Sequence, residues 1–272
     1  MRRVTLSGLC RAGGISRQAY YHGRHERQQV MRETEGILTA VRKERSQQPR
    51  VGGRKLQYLL RGAGLEVGRD ALFRILGEHD LLVAPKKKTV RTTYYDQSLP
   101  VYRNLLYNLE PTQPHQVWVS DVTFIDTGEG FTYLALVTDL ASRRIVGWNA
   151  GDTNAAADCI KALRMAIAQL PADRWPIHHS DRGSQYCCHE YAAVLSARGL
   201  SISMTEQNHC YENCYAERVN GILKDEFNLD AKFRTREHAR RAIAQAIDTY
   251  NSRRPHTSLH LRTPDQVHRL AA

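Results

Sequence analysis

The chain has 272 residues, 42% of them hydrophobic, which is enough for one domain of ordinary size and a smaller one. A mean hydropathy of −0.52 and the lack of a long apolar run exclude a membrane-spanning protein. Charged residues interrupt the sequence after the basic Met1–Arg3 before an apolar signal segment could form. We therefore expect a protein of the bacterial cytoplasm, or of whichever compartment holds the DNA.

The net charge of +11 is unevenly distributed. Residues 1–100 carry 20 Lys and Arg against 9 Asp and Glu, whereas residues 101–272 carry 19 of each kind. A basic excess confined to one part of a chain is typical of a surface that binds a polyanion. This asymmetry favours nucleic acid, and association with the nucleoid, over a merely soluble basic surface.

Residues 1–82 have an all-helical pattern with two similar units. In the first, a short helix, a Gly13-Gly14 turn and a helix capped by Ser16 match a helix-turn-helix. The second has a helix over about 33–45, a glycine turn, and further helices near 56–60 and 67–76. We expect Arg17 and Arg69, at the starts of helices, to contact duplex DNA. A plain helical bundle with a solvated basic face is the alternative.

Residues 83–114 show no sustained period and contain Lys86, Lys87 and Lys88. This composition predicts a basic linker that could track phosphates. A linker whose charges are merely solvated explains the pattern equally well.

Residues 115–272 alternate strand and helix signals, which predicts an α/β sheet covered by helices. Three strands form an antiparallel meander, and the following helix is capped by Asn154. The predicted strands cover 117–125, 131–139, 143–150, 176–180 and 200–204, and the predicted helices cover 154–170, 185–198, 212–229 and 235–250.

Three acidic residues dominate the functional interpretation. Asp121 lies within the first strand, Asp181 follows the end of a later strand, and Glu217 opens a helix. Converging carboxylates repel one another unless divalent cations neutralise them, which implies two ions of Mg²⁺ or Mn²⁺. Two such ions are a recurring device for in-line displacement at phosphorus. Asn220 and Lys224 share a helix face with Glu217, and we expect them to hold DNA near the scissile phosphate.

Other polar residues near these acids have simpler interpretations. His178 and His179 are expected to pack or orient the loop, because a metal-bound water needs no histidine base. Ser184 is expected to cap a helix rather than act as a nucleophile. Asp139 is expected to stabilise a turn or pair with arginine, and Glu226 to be solvated.

The segments around the three acids, together with 250–256 and 263–264, resemble one family. From about residue 35 to its C-terminus the chain is similar to bacterial insertion-sequence transposases of the second-reading-frame type (OrfB, the IS-three family), which share the DDE core of retroviral integrases. The resemblance implies an RNase H-like core, a mixed five-stranded sheet with helices on both faces. It places the carboxylates on the first strand, after the fourth strand and on a helix, which correspond to Asp121, Asp181 and Glu217.

The resemblance also implies an activity and partners. The activity is Mg²⁺-dependent cleavage of element ends, followed by attack of the freed 3′-hydroxyl on DNA. The partners are double-stranded DNA of the element ends and target, further copies of the chain, and an upstream helix-turn-helix and leucine-zipper chain as a fusion. One alternative is an RNase H-fold nuclease, which would cut but never join. Another is a DNA-binding regulator of transposition with a silent core, against which the three intact acids argue.

Overall fold

The computed structural model describes residues 5–84, 100–206 and 214–270. Lys86, Lys87 and Lys88 therefore lie outside the described residues. The strands are β1 (Val117–Thr127), β2 (Gly130–Asp139), β3 (Ile145–Gly151), β4 (Ile177–Ser180) and β5 (Ile202–Met204). The α-helices are α1 (Leu6–Ala12), α2 (Arg17–Gln47), α3 (Gly53–Gly62), α4 (Arg69–Glu78), α5 (Ala156–Ala168), α6 (Ser184–Cys187), α7 (His189–Ala197), α8 (Cys214–Glu226), α9 (Arg236–Ser252) and α10 (Pro264–Leu270).

The N-terminal region is helical, as predicted, but its second helix is longer than expected. Ser16 caps α2 by accepting a hydrogen bond from the backbone N–H of Ala19 at 3.0 Å. The helix then continues for 31 residues to Gln47, instead of stopping before residue 33. Its middle contains no proline and is rich in Arg, Glu and Gln, which are good helix formers, so nothing ends it earlier.

A small hydrophobic core holds α2, α3 and α4 together. It is formed by fully buried aliphatic side chains: Val41, Val51, Leu56, Leu60, Leu72 and Leu76. α4 has two distinct faces, since Leu72, Ile75 and Leu76 are buried while Arg69 and Arg74 are exposed.

The five strands of the described residues form one sheet in the order β3-β2-β1-β4-β5. β1 pairs antiparallel with β2, and β2 pairs antiparallel with β3, which confirms the predicted meander. β4 runs parallel to β1 and to β5. The sheet is therefore mixed, with the central strand β1 lying between an antiparallel half and a parallel half.

Helices cover both faces of this sheet. On one face Trp118, Ala135 and Val137 pack in a cluster with side chains of α5, α6 and α7. On the other face Ile125 and Leu134 pack in a second cluster with side chains of α8 and α9. Apolar side chains are thus buried on both faces of the sheet, and the predicted cover of helices on both faces is confirmed.

Three details of the predicted helices are corrected. The N-cap of α5 is Ala155, not Asn154, whose carbonyl accepts a hydrogen bond from Gln185 and stays outside the helix. The expected helix over 185–198 is divided at Cys188, whose backbone is extended at φ −72° and ψ 151°. Ser184 is the first residue of α6 and not its cap, which is Gly183.

The described part of the chain contains no helix that is both long enough and apolar enough to cross a membrane.

Candidate active site

The register of the sheet brings Asp121 and Asp181 together. In the parallel pair of β1 and β4, Ser120 lies opposite Ser180. Each aspartate is the next residue along its strand, so the two occupy neighbouring positions on adjacent chains. Neighbouring strands lie about 4.8 Å apart, and residues in register share a face. The carboxyl end of β4 thus places two half-buried acids side by side at the centre of the sheet.

The carboxylate of Asp121 is held from the helix above it. Asn220 of α8 donates a hydrogen bond from Nδ2 to Asp121 Oδ2 at 2.7 Å. Asn220 is only 1% exposed, because α8 packs against β1 at this point. This hydrogen bond therefore lies at the contact between α8 and β1. The place of Asn220 in the structure is that of a group that orients Asp121.

Asp181 begins a tight turn between β4 and α6. Its Oδ1 accepts a hydrogen bond from the backbone N–H of Gly183 at 3.0 Å. A Cβ at position 183 would lie 3.0 Å from that same oxygen and 2.8 Å from Gln185 Oε1, so a larger residue there would require both side chains to shift. Arg182 anchors the other side of the turn by donating to the carbonyl of Thr205 at 2.7 Å. These contacts fix where the chain leaves the sheet.

Glu217 lies in the first turn of α8 and is exposed, one turn before Asn220. It therefore approaches the two aspartates from the adjoining helix. Within residues 5–84, 100–206 and 214–270, however, no three His, Cys, Asp or Glu side chains lie close enough together to hold a metal ion. The structure brings Asp121 and Asp181 together and places Glu217 nearby, but not within a shared ligand distance.

A buried layer of polar and aromatic groups lies beneath the aspartates. Burial, followed by the negative charge of Asp158, raises the pKa of the Cys159 thiol to about 12, and Asp181 and Asp121 add to the effect. Burial also raises the pKa of Tyr186 well above its ordinary value, and both aspartates contribute there too. The thiol of Cys159 and the hydroxyl of Tyr186 are therefore both affected by the negative charges of Asp121 and Asp181.

His178 belongs to this layer. Burial, together with the adjacent His179, lowers its pKa to about 3, so the imidazole is neutral at physiological pH. Its Nε2 lies 2.8 Å from both the hydroxyl of Ser120 and the hydroxyl of Tyr191. The expectation that His178 packs in the interior is confirmed by its burial. The predicted turn role of Asp139 is also confirmed, because its carboxylate accepts hydrogen bonds from the N–H and hydroxyl of Ser142.

Three of the basic residues that the sequence predicts to contact DNA lie on three different helices. Lys224 is half-buried on α8, with Nζ 4.5 Å from the ring centre of Phe124 on β1. Arg17 and Arg69 are exposed on the N-terminal helices. Arg69 donates a hydrogen bond to Asp70 at 2.8 Å.

Glu226 is the clearest residue that the sequence interpretation missed. It is not solvated: it accepts hydrogen bonds from Lys55 at 2.6 Å and from Arg254 at 2.8 Å. Burial would raise the pKa of this carboxyl, but the two cations outweigh that effect and the pKa lies below its ordinary value. Two adjacent arginines at 253 and 254 were visible in the sequence, but nothing there indicated their partners.

The donor set at the sheet edge suits the divalent cation that the family resemblance implies. Mg²⁺ prefers oxygen ligands, and Asp121 and Asp181, which follow the paired residues Ser120 and Ser180, supply carboxylate oxygens. Both side chains are partly exposed, so a hydrated ion can reach them. The carboxylates of Asp121 and Asp181 therefore suit a divalent cation such as Mg²⁺.

The fold defines a protein with an RNase H-like integrase core. A family model described as "Integrase core domain" matches residues 111–210, and a second model with the same description matches residues 198–264. The uncharacterized 31 kDa protein of insertion element IS600 from Shigella sonnei is 35% identical over 272 residues, covering 97% of this chain and 100% of that protein. Transposase InsF for insertion sequence IS3A of Escherichia coli K12 is 31% identical, covering 96% of this chain and 93% of that protein. The chain belongs to the insertion-sequence transposases of the IS3 family.

Two solved structures follow a similar chain path. The HTLV-2 integrase catalytic core domain in complex with magnesium is 21% identical, with a TM-score of 0.46, and covers 61% of this chain and 99% of that one. A simian T-cell lymphotropic virus intasome in complex with PP2A regulatory subunit B56 gamma is 19% identical, with a TM-score of 0.49, and covers 80% of this chain and 70% of that one.

Proposed function

We propose that this transposase cleaves the ends of its element and joins the freed 3′-hydroxyl to target DNA through the carboxylates of Asp121, Asp181 and Glu217. The observation that carries the proposal is the register of β1 and β4, which places the two aspartates side by side. Both acids are partly exposed, so a metal ion and DNA can reach them.

In this proposal each residue has a separate task. When bound, two Mg²⁺ or Mn²⁺ ions would stabilise charge on the attacking and leaving oxygens of the phosphodiester. Asp121 and Asp181 would hold them, and Asn220 keeps the Asp121 carboxylate in one orientation. Carboxylates repel one another until cations lie between them, so Glu217 would move closer as the site fills. Lys224, on the same helix face, would bind a DNA phosphate.

The chain would be organised around this centre. Residues 1–82 would bind flanking duplex through Arg17 and Arg69, and residues 83–114 would follow the phosphates through Lys86, Lys87 and Lys88. Residues 115–272 would hold the catalytic core. Because transposition pairs two DNA ends, a homo-multimer is the expected active form, and a fusion with an upstream-frame chain is its proposed partner.

Substitution of Asp181 by Asn tests the carboxylate mechanism, since it removes a charge and keeps the shape. Loss of a charge-stabilising group in an active site costs about 10²–10³ in rate. We expect Asp181→Asn to reduce both cleavage and joining by about this factor in a Mg²⁺-containing assay with end-labelled element DNA. Asp248→Asn, at an exposed position of α9, is the matched control and should act as wild type.

The products of the same assay separate the alternatives. Joined products that depend on Asp181 support a transposase. Products that are cut but never joined support an RNase H-fold nuclease, and DNA binding without cleavage, even beside the upstream chain, supports a regulator. Equal cleavage and joining by Asp181→Asn and wild type would show that the carboxylate mechanism is incorrect.

A further inference from the structure

A basic pocket lies on the side of α8 next to the face that carries Glu217. Its volume is about 290 Å³. Four cationic side chains from four separate parts of the chain line it: Lys55 of α3, Arg143 between β2 and β3, Arg218 of α8 and Arg254 after α9. Cations brought together from distant parts of a chain repel one another, so the pocket is costly unless an anion fills it.

The charge of this pocket is only partly compensated. Glu226 accepts hydrogen bonds from Lys55 and Arg254, which leaves one carboxylate for four cations. Within the described part of the chain, Arg143 and Arg218 form no ion pair. The positive charge of these side chains also affects His256, which lines the pocket. Burial first, and then the charges of Arg254, Lys55 and Arg143, lower the pKa of His256 to about 3.

Two of the arginines also have unused hydrogen-bond donors. Nη1 of Arg143 and Nη1 of Arg254 are buried and have no hydrogen-bond partner among the described residues. Arg254 is only 2% exposed, so solvent reaches little of it. Buried N–H groups of a guanidinium are normally satisfied, and each one left unsatisfied carries a desolvation penalty. Both side chains line the pocket.

The walls of the pocket are suited to a phosphate that carries an organic body. The guanidinium of Arg143 lies over the ring of Tyr215 at 4.3 Å, which holds its plane in place. Val219, Ile222 and Tyr250 supply apolar surface beside the cations. A small inorganic anion would leave that surface unused, whereas a nucleotide unit of a DNA strand presents both a phosphate and apolar ring faces.

We propose that this pocket binds a backbone phosphate of the DNA strand that is processed at the Asp121–Asp181 edge. The inference rests on the proposed function, because it takes DNA as the substrate. Tyr215 and Arg218 lie on either side of Glu217 in the first turns of α8. A phosphate held by this turn fixes the helical segment that carries Glu217. The pocket thereby links the arrival of DNA to the position of the third carboxylate.

The test measures DNA binding by the full chain without metal, so that no cleavage occurs. Fluorescence anisotropy with a labelled element-end duplex would be recorded over a series of salt concentrations for Arg218→Gln and Arg143→Gln. Loss of one charged hydrogen bond weakens binding by about tenfold. Loss of one phosphate contact lowers the slope of log affinity against log salt by about 0.9. We expect both changes in each variant, and neither in Arg164→Gln, an exposed arginine of α5.

Arg218 is exposed and its substitution leaves the buried Glu226 cluster intact, so it decides the outcome if Arg143→Gln fails to fold. Wild-type affinity and salt slope for folded Arg218→Gln would overturn the proposal. Asp181→Asn separates this result from the proposed function: it should bind DNA as wild type and fail to join it. Joining that is independent of Asp181, together with a reduced slope for Arg218→Gln, would overturn the catalytic mechanism and keep the pocket.

Discussion

A single buried amide holds the carboxylate of Asp121, which we propose to be catalytic. Asn220 is 1% exposed, and its Nδ2 donates to Asp121 at 2.7 Å. An amide can stabilise the ionised carboxylate without adding a charge that would compete with a metal ion. Groups that orient metal ligands in this way typically contribute 10–100-fold to metal affinity or activity.

Replacing Asn220 with Asp tests this role with almost no change in shape. The variant places two carboxylates in contact, so the pKa of one of them rises and the pair shares a proton. We expect cleavage at neutral pH to fall about 10–100-fold. A protonated Asp at this position can donate as the amide does, so the variant should recover part of its activity as the pH falls. The measurement is a pH profile of single-turnover cleavage.

Asn154→Asp, at an exposed position before α5, is the control for a general effect of added charge. A profile for Asn220→Asp that is reduced equally at every pH would exclude the positioning role and indicate a merely structural one.

At the residue scale, the sequence predicts the strand positions of the aspartates but not their hydrogen-bond partners. Asp121 lies within an apolar strand pattern and Asp181 follows one, and both patterns are visible in the sequence. The spacing places Asn220 on the Glu217 face of the helix, but it does not show that Asn220 reaches Asp121. That contact depends on the packing of α8 on β1.

At the scale of elements, the contact between β3 and α5 depends on one glycine. A Cβ at Gly147 would lie 2.9 Å from both the Cβ and the N of Ala166, and it would also clash with the carbonyl of Ala162. The atoms it would meet belong mainly to the helix backbone, which cannot rotate away as a side chain can. α5 therefore approaches β3 more closely than a residue with a side chain at position 147 would allow.

Gly147→Ala should consequently destabilise the fold by pushing α5 outward from the sheet. Overpacking of a well-packed core typically costs about 1–3 kcal/mol. We expect a lower free energy of unfolding by about this amount in urea denaturation. Gly221→Ala is the matched control: a Cβ there meets nothing within 4 Å, and alanine in a helix gains about 0.5–1 kcal/mol over glycine. Equal stability of Gly147→Ala and wild type would contradict the close packing.

The elements themselves were predictable to different degrees. β1 and β2 were predicted with their ends within two residues of those observed, because a buried strand has a strong apolar pattern. The break at Cys188 was not, since it depends on an extended backbone between two helices and no glycine or proline marks it. The union of two expected helices into α2 was missed because helix propensity, not a cap, determines its length.

At the scale of the whole molecule, ion pairs fasten the N-terminal helices to the core. Arg253 donates to Glu44 of α2 at 3.2 Å, and Lys55 of α3 donates to Glu226 of α8 at 2.6 Å. The backbone N–H of Arg50 also donates to the carbonyl of Glu226 at 3.0 Å. The basic pocket lies at this junction. Such pairs span more than 150 positions in the sequence, and no local pattern predicts them.

Four histidines, two of them buried and two half-buried, make the whole molecule sensitive to acid. Burial is the main cause in each case, and it lowers the pKa of His178 and His256 to about 3 and that of His268 to about 4, while the pKa of His115 also falls. In the unfolded chain each imidazole takes up a proton near pH 6.5, whereas the folded chain excludes it until its own lower pKa is reached. Below pH 6.5 the unfolded state therefore binds more protons than the folded state, and the free energy of unfolding decreases as the pH is lowered.

We expect the free energy of unfolding to decrease steadily from pH 7 to pH 5, by as much as about 1.4 kcal/mol per pH unit for each excluded proton. This window lies above the range in which Glu226 would lose its charge, because its pKa is below the ordinary value. His268→Gln should reduce the slope by close to the contribution of one proton, because the folded chain lowers the pKa of His268 to about 4. Nδ1 of this residue, on α10, lies 2.9 Å from the hydroxyl of Ser142. His238→Gln, at an exposed position of α9, is the matched control. Urea denaturation at several pH values measures the slope, and a stability that is constant between pH 7 and pH 5 would contradict the exclusion of protons from these sites.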